Sequence, residues 1–293
     1  MGPPTHIGAL NGSFPSAHVT ASHPPNASVI TPLRFVAADP SGSRRRALVG
    51  HRQRGRQLIT GWEMHGNLHT LGYFSADLCV GTPPRSFDLI VDTGSSLTAV
   101  PCADCTQCGA HKHDGQPGAR FSEAASSTSQ PCTTGRCSYS VSYTEGSKIR
   151  GKMIEDSVWF GSAKGRKEVH ASFGCQTFES GLFYSQVADG ITGFSMRSSY
   201  GPTLFEWLQR ATGCPRVFSI CLSEEVGAMV LGGAIPSDLQ ADWIPTIGTD
   251  AYQITLTEIK IGQRSLGVGG GNYGRTIVDS GTTFMYLPPK IYR

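Results

Sequence analysis

Two aspartates stand in nearly the same sequence context in this chain of 293 residues. Asp92 lies in LIVDTGSSLTAVP (residues 89–101), and Asp279 lies in TIVDSGTTFMYLP (residues 276–288). In both segments Ile-Val precedes the Asp, a Gly follows two residues later, and two further hydroxyl residues come next. One copy alone is ordinary turn chemistry, because Asp and Gly favour tight turns. The repetition predicts two equivalent turns that bring two carboxylates to one site.

Two carboxylates at close range are suited to acid–base chemistry. Like charges so near each other cannot both ionise readily, so the pair retains one proton and one pKa rises. The ionised member can act as a general base on a water molecule while the protonated member donates to the substrate. Neighbouring hydroxyl and backbone N–H groups are expected to orient the carboxylates. These neighbours are Thr93, Gly94, Ser95, Ser280, Gly281 and Thr282.

The elements that must position these turns have the pattern of short strands. Residues 71–81 and 86–96 alternate or run apolar and end in Gly turns, and residues 137–161 predict a hairpin. Residues 202–212 predict a helix, with apolar side chains on one face and a Gly just beyond the end. Because strands and helices do not alternate, the pattern disfavours a parallel α/β fold. The sequence therefore predicts a mainly β protein.

The first 66 residues differ in composition from the rest. They are rich in Pro, Ser, Gly and Ala, which predicts a disordered segment or a pro-segment. Residues 43–56 are basic, so a nucleic-acid arm or a targeting signal is an alternative. The net charge of +3 is too small to indicate a nucleic-acid partner for the whole chain, and none is expected. No apolar run approaches the roughly 18 residues of a membrane-spanning helix.

Nine cysteines indicate disulfides and an oxidising compartment. The candidates are Cys79, Cys102, Cys105, Cys108, Cys132, Cys137, Cys175, Cys214 and Cys221. A metal site built from the Cys102, Cys105 and Cys108 thiols with nearby His111 and His113 is an alternative. Disulfides are favoured, and no metal or cofactor is expected. The pairing cannot be deduced from sequence, although Cys175 and Cys221 both end strand-like runs and are the expected partners.

From about Gly72 to its end, the sequence resembles the pepsin-like aspartic proteases. The resemblance implies two β-rich lobes with a catalytic cleft between them, and it implies that Asp92 and Asp279 are the catalytic pair. It also makes Tyr143 the tyrosine of a mobile flap. Residues 188–195 (ADGITGFS) match a hydrophobic-hydrophobic-Gly element of the family, except that Thr192 replaces an apolar residue.

The resemblance also implies domain boundaries. Residues 67–223 would form the N-terminal lobe, with a Cys-rich insertion at 101–137 and the flap at 137–161. Residues 224–293 would form the beginning of an incomplete C-terminal lobe, because a second Gly element is not present. The expectation is a chain truncated at its C-terminus, where a membrane anchor could have followed. A monomer is expected.

The sequence departs from the common family pattern in three features. In all three it resembles the plasmepsin V-like branch, the apicomplexan aspartyl proteases of the endoplasmic reticulum and Golgi. The three features are Ala99 in place of a usual Trp, the Cys-rich insertion, and the flap sequence Tyr-Thr-Glu-Gly-Ser. The resemblance implies an endopeptidase in the endomembrane lumen that cuts secretory-pathway polypeptides at Arg-x-Leu motifs. Glu145, Gly146 and Gln186 match its substrate-binding positions. Alternatives are a general secreted or lysosome-type protease and a non-catalytic peptide-binding homologue, in which Glu145 is an ordinary solvated charge.

Overall fold

The computed structural model describes residues 19–21, 35–37, 60–113, 115, 119–133, 135–161, 168–223, 226–232 and 244–292, and the fold is mainly β. The strands are β1 (Val19–Ala21), β2 (Phe35–Ala37), β3 (Thr60–Asn67), β4 (Tyr73–Val80), β5 (Arg85–Asp92), β6 (Ala99–Pro101), β7 (Gln130–Pro131), β8 (Ser138–Ser142), β9 (Lys148–Phe160), β10 (Val169–Ser180), β11 (Gly190–Gly193), β12 (Phe218–Leu222), β13 (Val226–Leu231), β14 (Gln253–Ile254), β15 (Leu256–Ile261), β16 (Arg264–Ser265) and β17 (Thr276–Ile277). The helices are α1 (Leu182–Ser185), α2 (Leu204–Thr212) and α3 (Pro289–Tyr292).

One large sheet contains most of the strands. Its order is β2-β12-β13-β3-β4-β5-β11-β6-β10-β9-β7, and β8 pairs with β9 outside this path. Two small sheets, β1-β15-β16 and β14-β17, contain the strands of the C-terminal part. Strand β3 begins at Thr60, so the large sheet includes residues that the sequence analysis placed in the segment 1–66. Apart from the backbone of β1 and β2, the earlier residues, including the basic run 43–56, lie outside the described residues.

The core of the large sheet is built from aromatic and branched side chains that are almost fully buried. Phe74, Phe87, Phe173 and Phe194 are among its largest members. Helix α2 covers this core with the apolar face that the sequence predicts. Its first turn is fixed by a capping box, in which the Thr203 hydroxyl accepts from the backbone N–H of the third helical residue. No helix in the described ranges combines the length and the apolar composition needed to cross a membrane.

The predicted hairpin over residues 137–161 forms from β8 and β9. The two strands pair up to Ser142 and Lys148, and a tight turn joins them. In that turn the Gly146 N–H donates to the Tyr143 carbonyl at 3.0 Å, and the Tyr143 N–H donates to the Ser147 carbonyl at 2.9 Å. The φ angle of Gly146 is 102°, a conformation that favours glycine. The hairpin therefore holds Tyr143 and Glu145 at its tip.

Three disulfides form, Cys102–Cys175, Cys105–Cys108 and Cys132–Cys137. The expected pairing of Cys175 with Cys221 is wrong, because β6 and β10 run parallel and place Val100 opposite Cys175, two residues from Cys102. The metal alternative also fails for its three thiols, since all of them lie in disulfides. The other candidates, Cys79, Cys214 and Cys221, lie outside these three bridges.

Candidate active site

The two repeated aspartates meet at one end of the central strands. Asp92 is the last residue of β5, where the parallel strand β11 places Gly193 beside it. The Phe194 N–H donates to the Asp92 carbonyl at 2.8 Å and fixes the backbone at this point. Asp279 follows β17 by two residues. Asp92 is buried and Asp279 is partly exposed, so the pair lies at the boundary between core and solvent.

Thr93 and Ser280 cross-link the two turns in a nearly symmetric way. The Thr93 N–H donates to Ser280 Oγ at 3.1 Å, and the Ser280 N–H donates to Thr93 Oγ1 at 2.9 Å. Each hydroxyl also donates into the opposite segment, Thr93 to the Val278 carbonyl at 3.1 Å and Ser280 to the Val91 carbonyl at 2.7 Å. Four hydrogen bonds therefore fix one aspartate turn relative to the other. A shared acid–base site requires this constraint.

The glycines after the aspartates allow the two turns to approach closely. The Gly94 N–H donates to Asp92 Oδ1 at 2.7 Å, and the Gly281 N–H donates to Asp279 Oδ1 at 2.8 Å. A Cβ on Gly94 would lie 2.5 Å from Asp279 Oδ2, and a Cβ on Gly281 would lie 2.5 Å from Asp92 Oδ1. Each turn therefore needs glycine because the carboxylate of the other turn occupies that space.

The environments of the two carboxyl groups differ. Asp279 accepts a second hydrogen bond from the Thr282 hydroxyl, at 2.6 Å. The matching hydroxyl of Ser95 is buried beside Asp92, and its proximity opposes the rise in the pKa of that carboxyl group. Burial, followed by the charge and the hydrogen bonding of Asp279, raises the pKa of Asp92 to about 7. Burial therefore favours the protonated form of Asp92, and the two carboxyl groups hold their shared proton as a pair.

A sequence model of the family described as eukaryotic aspartyl protease matches residues 73–293. The chain belongs to this family. The match includes both aspartate turns and the flap hairpin, so the reciprocal geometry described above is that of an aspartyl protease. The resemblance predicted from the repeated Asp turns is confirmed.

Two apicomplexan relatives are among the similar proteins. Aspartic protease 5 of Toxoplasma gondii is 29% identical over 80% of this chain and 31% of its own length. Plasmepsin V of Plasmodium falciparum is 32% identical over 60% of this chain and 31% of its own length. A plant relative, aspartic proteinase nepenthesin-2 of Nepenthes gracilis, is 27% identical over 75% of this chain and 54% of its own length. The chain thus spans about a third of the apicomplexan relatives and half of the plant one.

The tip of the β8–β9 hairpin places Tyr143 in the wall of the cleft that Asp92 and Asp279 also line. The Tyr143 ring lies 4.8 Å from the ring of Phe183, centroid to centroid, and the phenol is buried without a hydrogen bond in the described structure. Burial, and then the charge of Asp92, raises the pKa of this phenol, which therefore stays protonated as a donor. The space next to the small residue Ala99 is occupied by Tyr139, within the same apolar cluster. Phe183 supports the flap tyrosine, and the sequence analysis did not identify it.

The remaining departure in the Gly element has a local explanation. Thr192 is fully buried in β11, where an apolar residue is usual, and its hydroxyl lies 3.1 Å from the Thr98 hydroxyl. One hydroxyl donates to the other, so a polar pair is buried without loss of a hydrogen bond. The element therefore keeps its place beside the strand that carries Asp92.

Glu145 and Gln186 line the same cleft as the dyad, a space of about 2200 Å³. Glu145 is exposed at the flap tip, next to Gly146. Gln186 lies across the cleft wall, directly after α1, and its Nε2 donates to the Ala188 carbonyl at 3.3 Å. The amide oxygen of Gln186 takes no part in that bond. Both side chains thus belong to the lining of one cleft, and their role in substrate binding stays a prediction.

Proposed function

We propose that this chain forms part of an aspartic endopeptidase that hydrolyses polypeptide substrates with a two-aspartate dyad. The reciprocal cross-link between the Asp92 and Asp279 turns is the observation that carries the proposal. It fixes two carboxyl groups at close range on rigid strand ends, with one group poised to donate a proton and the other to accept one. The family to which the chain belongs supports the same chemistry.

The proposed reaction assigns a different role to each carboxyl group. Asp279, which holds the negative charge, accepts a proton from a water molecule, and the oxygen of that water bonds to the scissile carbonyl carbon. Asp92 donates its proton to the carbonyl oxygen as the C=O double bond becomes single. As the C–N bond breaks, Asp279 gives its proton to the amine nitrogen, one hydroxyl of the tetrahedral intermediate returns its proton to Asp92, and the carbonyl reforms. Tyr143 closes over the substrate and excludes bulk water.

We further propose that the substrates carry an Arg-x-Leu motif and are met in the lumen of the endoplasmic reticulum or Golgi. The Glu145 carboxylate and the Gln186 amide oxygen suit the donor fork of a guanidinium group. Gly146 gives the flap tip the backbone conformation that presents Glu145. The disulfides fit an oxidising compartment. The similarity to plasmepsin V and aspartic protease 5 supports this specificity over that of a general secreted protease.

Steady-state cleavage of two peptides tests both levels of the proposal. The peptides differ only by Arg or Ala at the recognised position. Asp92→Asn and Asp279→Asn should each lower kcat on the Arg peptide by about 10²–10⁴-fold, the usual contribution of general acid–base catalysis. Full activity in either variant would contradict the dyad assignment.

Two further variants test the proposed specificity for Arg. Glu145→Gln and Gln186→Ala should each raise KM for the Arg peptide by about 10-fold or more, because a charged hydrogen bond contributes about 1.5–3 kcal/mol. They should leave the Ala peptide nearly unchanged. Glu63→Gln, which removes an exposed carboxylate from β3, is the matched control. Equal cleavage of both peptides by the wild-type protein would indicate a general protease instead.

A further inference from the structure

A short part of the Cys-rich insertion lies against the loop that carries Gln186. We name residues 107–113 the insertion arm and residues 182–188 the recognition loop. The Lys112 N–H donates to the Val187 carbonyl at 2.7 Å. Gly109 touches the backbone of Tyr184 so closely that no Cβ could be accommodated there. At the start of the arm, the Gln107 carbonyl accepts from the Glu179 N–H at 2.8 Å. The arm and the loop therefore pack together through their backbones.

His111 is the side chain that joins the two segments. Its Nε2 lies 2.9 Å from Glu179 Oε2, and its Nδ1 lies 3.2 Å from the Gln186 carbonyl oxygen. Both partners are acceptors, and only the protonated imidazolium can donate from both ring nitrogens. The His111 and Glu179 side chains are 1% and 0% exposed. The geometry therefore selects a buried imidazolium that links a carboxylate to the recognition loop.

The carboxylate of Glu179 is itself fixed by two other donors. The Gly109 N–H donates to Glu179 Oε2 at 3.0 Å, and Gln176 Nε2 donates to Oε1 at 2.9 Å. Buried charges need such partners, because an isolated one is very costly. Glu179 lies in β10 of the large sheet, so it provides a rigid base for His111. Through its second hydrogen bond, the imidazolium in turn holds the backbone carbonyl of Gln186 in a fixed position relative to Glu179.

Other charged groups contact the insertion arm close to this pair. Asp189 accepts from His113 Nδ1 at 2.5 Å, and Lys112 Nζ lies 3.1 Å from Asp88 Oδ2. Arg120 donates to the Gly109 carbonyl at 3.3 Å. Burial by itself lowers the pKa of His111, but the hydrogen bond and charge of Glu179, the Gln186 carbonyl and the charge of Asp189 together raise it. The net upward shift agrees with the two-donor geometry.

We propose that His111 is a positioning residue for substrate recognition, which holds the recognition loop so that the Gln186 side chain meets the substrate. The inference rests on the proposed role of Gln186 in binding a cationic substrate side chain. His111 touches no substrate, and it acts through the Gln186 backbone. The segment with the spacing of metal ligands therefore has a structural role instead, because His111 supports the recognition loop in the cleft wall.

Amide hydrogen exchange on the 293-residue chain tests the contact itself, without any requirement for activity. His111→Gln keeps one hydrogen bond at most, so exchange in the recognition loop should accelerate at least about 10-fold, as expected when a buried charged link is lost. His170→Gln is a matched control. The His170 ring also lies near a carbonyl and a Glu, those of Thr128 and Glu155, but it is exposed. Its substitution should leave the loop unchanged.

The pH dependence and a second variant complete this test. In the wild-type protein, loop exchange corrected for intrinsic rates should accelerate as the pH rises above the ordinary pKa range of histidine and the imidazolium loses its proton. The His111→Gln variant should show no such transition. Glu179→Gln keeps an acceptor but removes the charge, so it should shift the transition to lower pH. This variant replaces His111→Gln in the test if His111→Gln does not fold. Unchanged loop exchange in a folded variant would overturn the proposal.

Kinetics then separate a positioning role from a merely structural one. His111→Gln should raise KM for the Arg peptide about 5- to 20-fold, with kcat within about twofold and with KM for the Ala peptide little changed. In a Gln186→Ala background the same substitution should add no further loss, because the two residues act in series. Additive losses would refute the positioning role. If the wild-type protein shows no preference for Arg, the proposed specificity fails, while the exchange result still decides whether His111 holds the loop.

Discussion

Replacing the buried carboxyl group of the dyad by its amide should make the protein more stable at neutral pH. Asp92→Asn keeps the shape of the side chain and the oxygen that accepts from the Gly94 N–H at 2.7 Å. It removes the group whose pKa burial and Asp279 raise to about 7. The substitution should therefore abolish catalysis and at the same time remove a source of instability.

The size of the effect follows from proton linkage. Asp92 has an ordinary pKa of 3.8 in the unfolded chain and a pKa of about 7 in the folded protein. Between these values the folded protein holds a proton that the unfolded chain has released, so the free energy of unfolding falls as the pH rises from about 4 to about 7. Three pKa units at 1.36 kcal/mol each amount to about 4 kcal/mol. The stabilisation from the shared proton is complete below pH 4 and is lost above pH 7.

Urea unfolding at unit steps from pH 4 to pH 8 measures this dependence. The free energy of unfolding of Asp92→Asn, minus that of the wild-type protein, should increase by about 4 kcal/mol over this range. Glu63→Gln, at an exposed site on β3, should give a difference that changes little with pH. A difference for Asp92→Asn that is equally flat would show that Asp92 is not the carboxyl group that retains the proton.

Two further predictions concern the cross-link and the close approach of the turns. Thr93→Val leaves the Val278 carbonyl and the Ser280 N–H without their partner, and should lower the free energy of unfolding by about 2–6 kcal/mol at about 1–3 kcal/mol per unsatisfied group. Thr93→Ser keeps the hydroxyl, and an equal loss of urea stability in both variants would contradict the hydrogen-bond explanation. Gly94→Ala places a methyl group against the Asp279 carboxylate and should lower kcat by about 10²-fold through misplacement of the dyad. Gly271→Ala, where a Cβ meets nothing within 4 Å, should leave peptide cleavage unchanged.

The features that could be predicted from the sequence are those with a local pattern. The two Asp turns are detectable because the chain contains the segment twice, and each copy carries its own orienting residues. Helix α2 is detectable because its apolar face lies within nine residues and Gly213 follows directly, with the left-handed φ of 67° that such an end requires. The hairpin that carries Tyr143 shows the alternation of two strands and a Gly turn.

The features that could not be predicted depend on contacts between distant parts of the chain. Cys102 pairs with Cys175 because β6 runs parallel to β10, and nothing near either cysteine encodes that pairing. The link from His111 to Glu179 spans 68 residues. In the sequence, His111 and His113 stand near three cysteines, so metal ligation was a reasonable alternative. The structure instead gives each histidine a carboxylate partner, Glu179 for His111 and Asp189 for His113.

Three consecutive residues of the insertion arm connect it to the recognition loop and to β5. His111 holds the Gln186 carbonyl, Lys112 pairs with Asp88 of β5, and His113 pairs with Asp189. Asp189 in turn accepts from the Asp88 N–H at 2.7 Å, and Asp88 lies four residues before Asp92 on the same strand. A displacement of the arm would therefore move both the recognition loop and β5, the strand that ends in Asp92. The Cys105–Cys108 disulfide ties the first residues of the arm to the chain before it, so its reduction should loosen both segments before it affects the core.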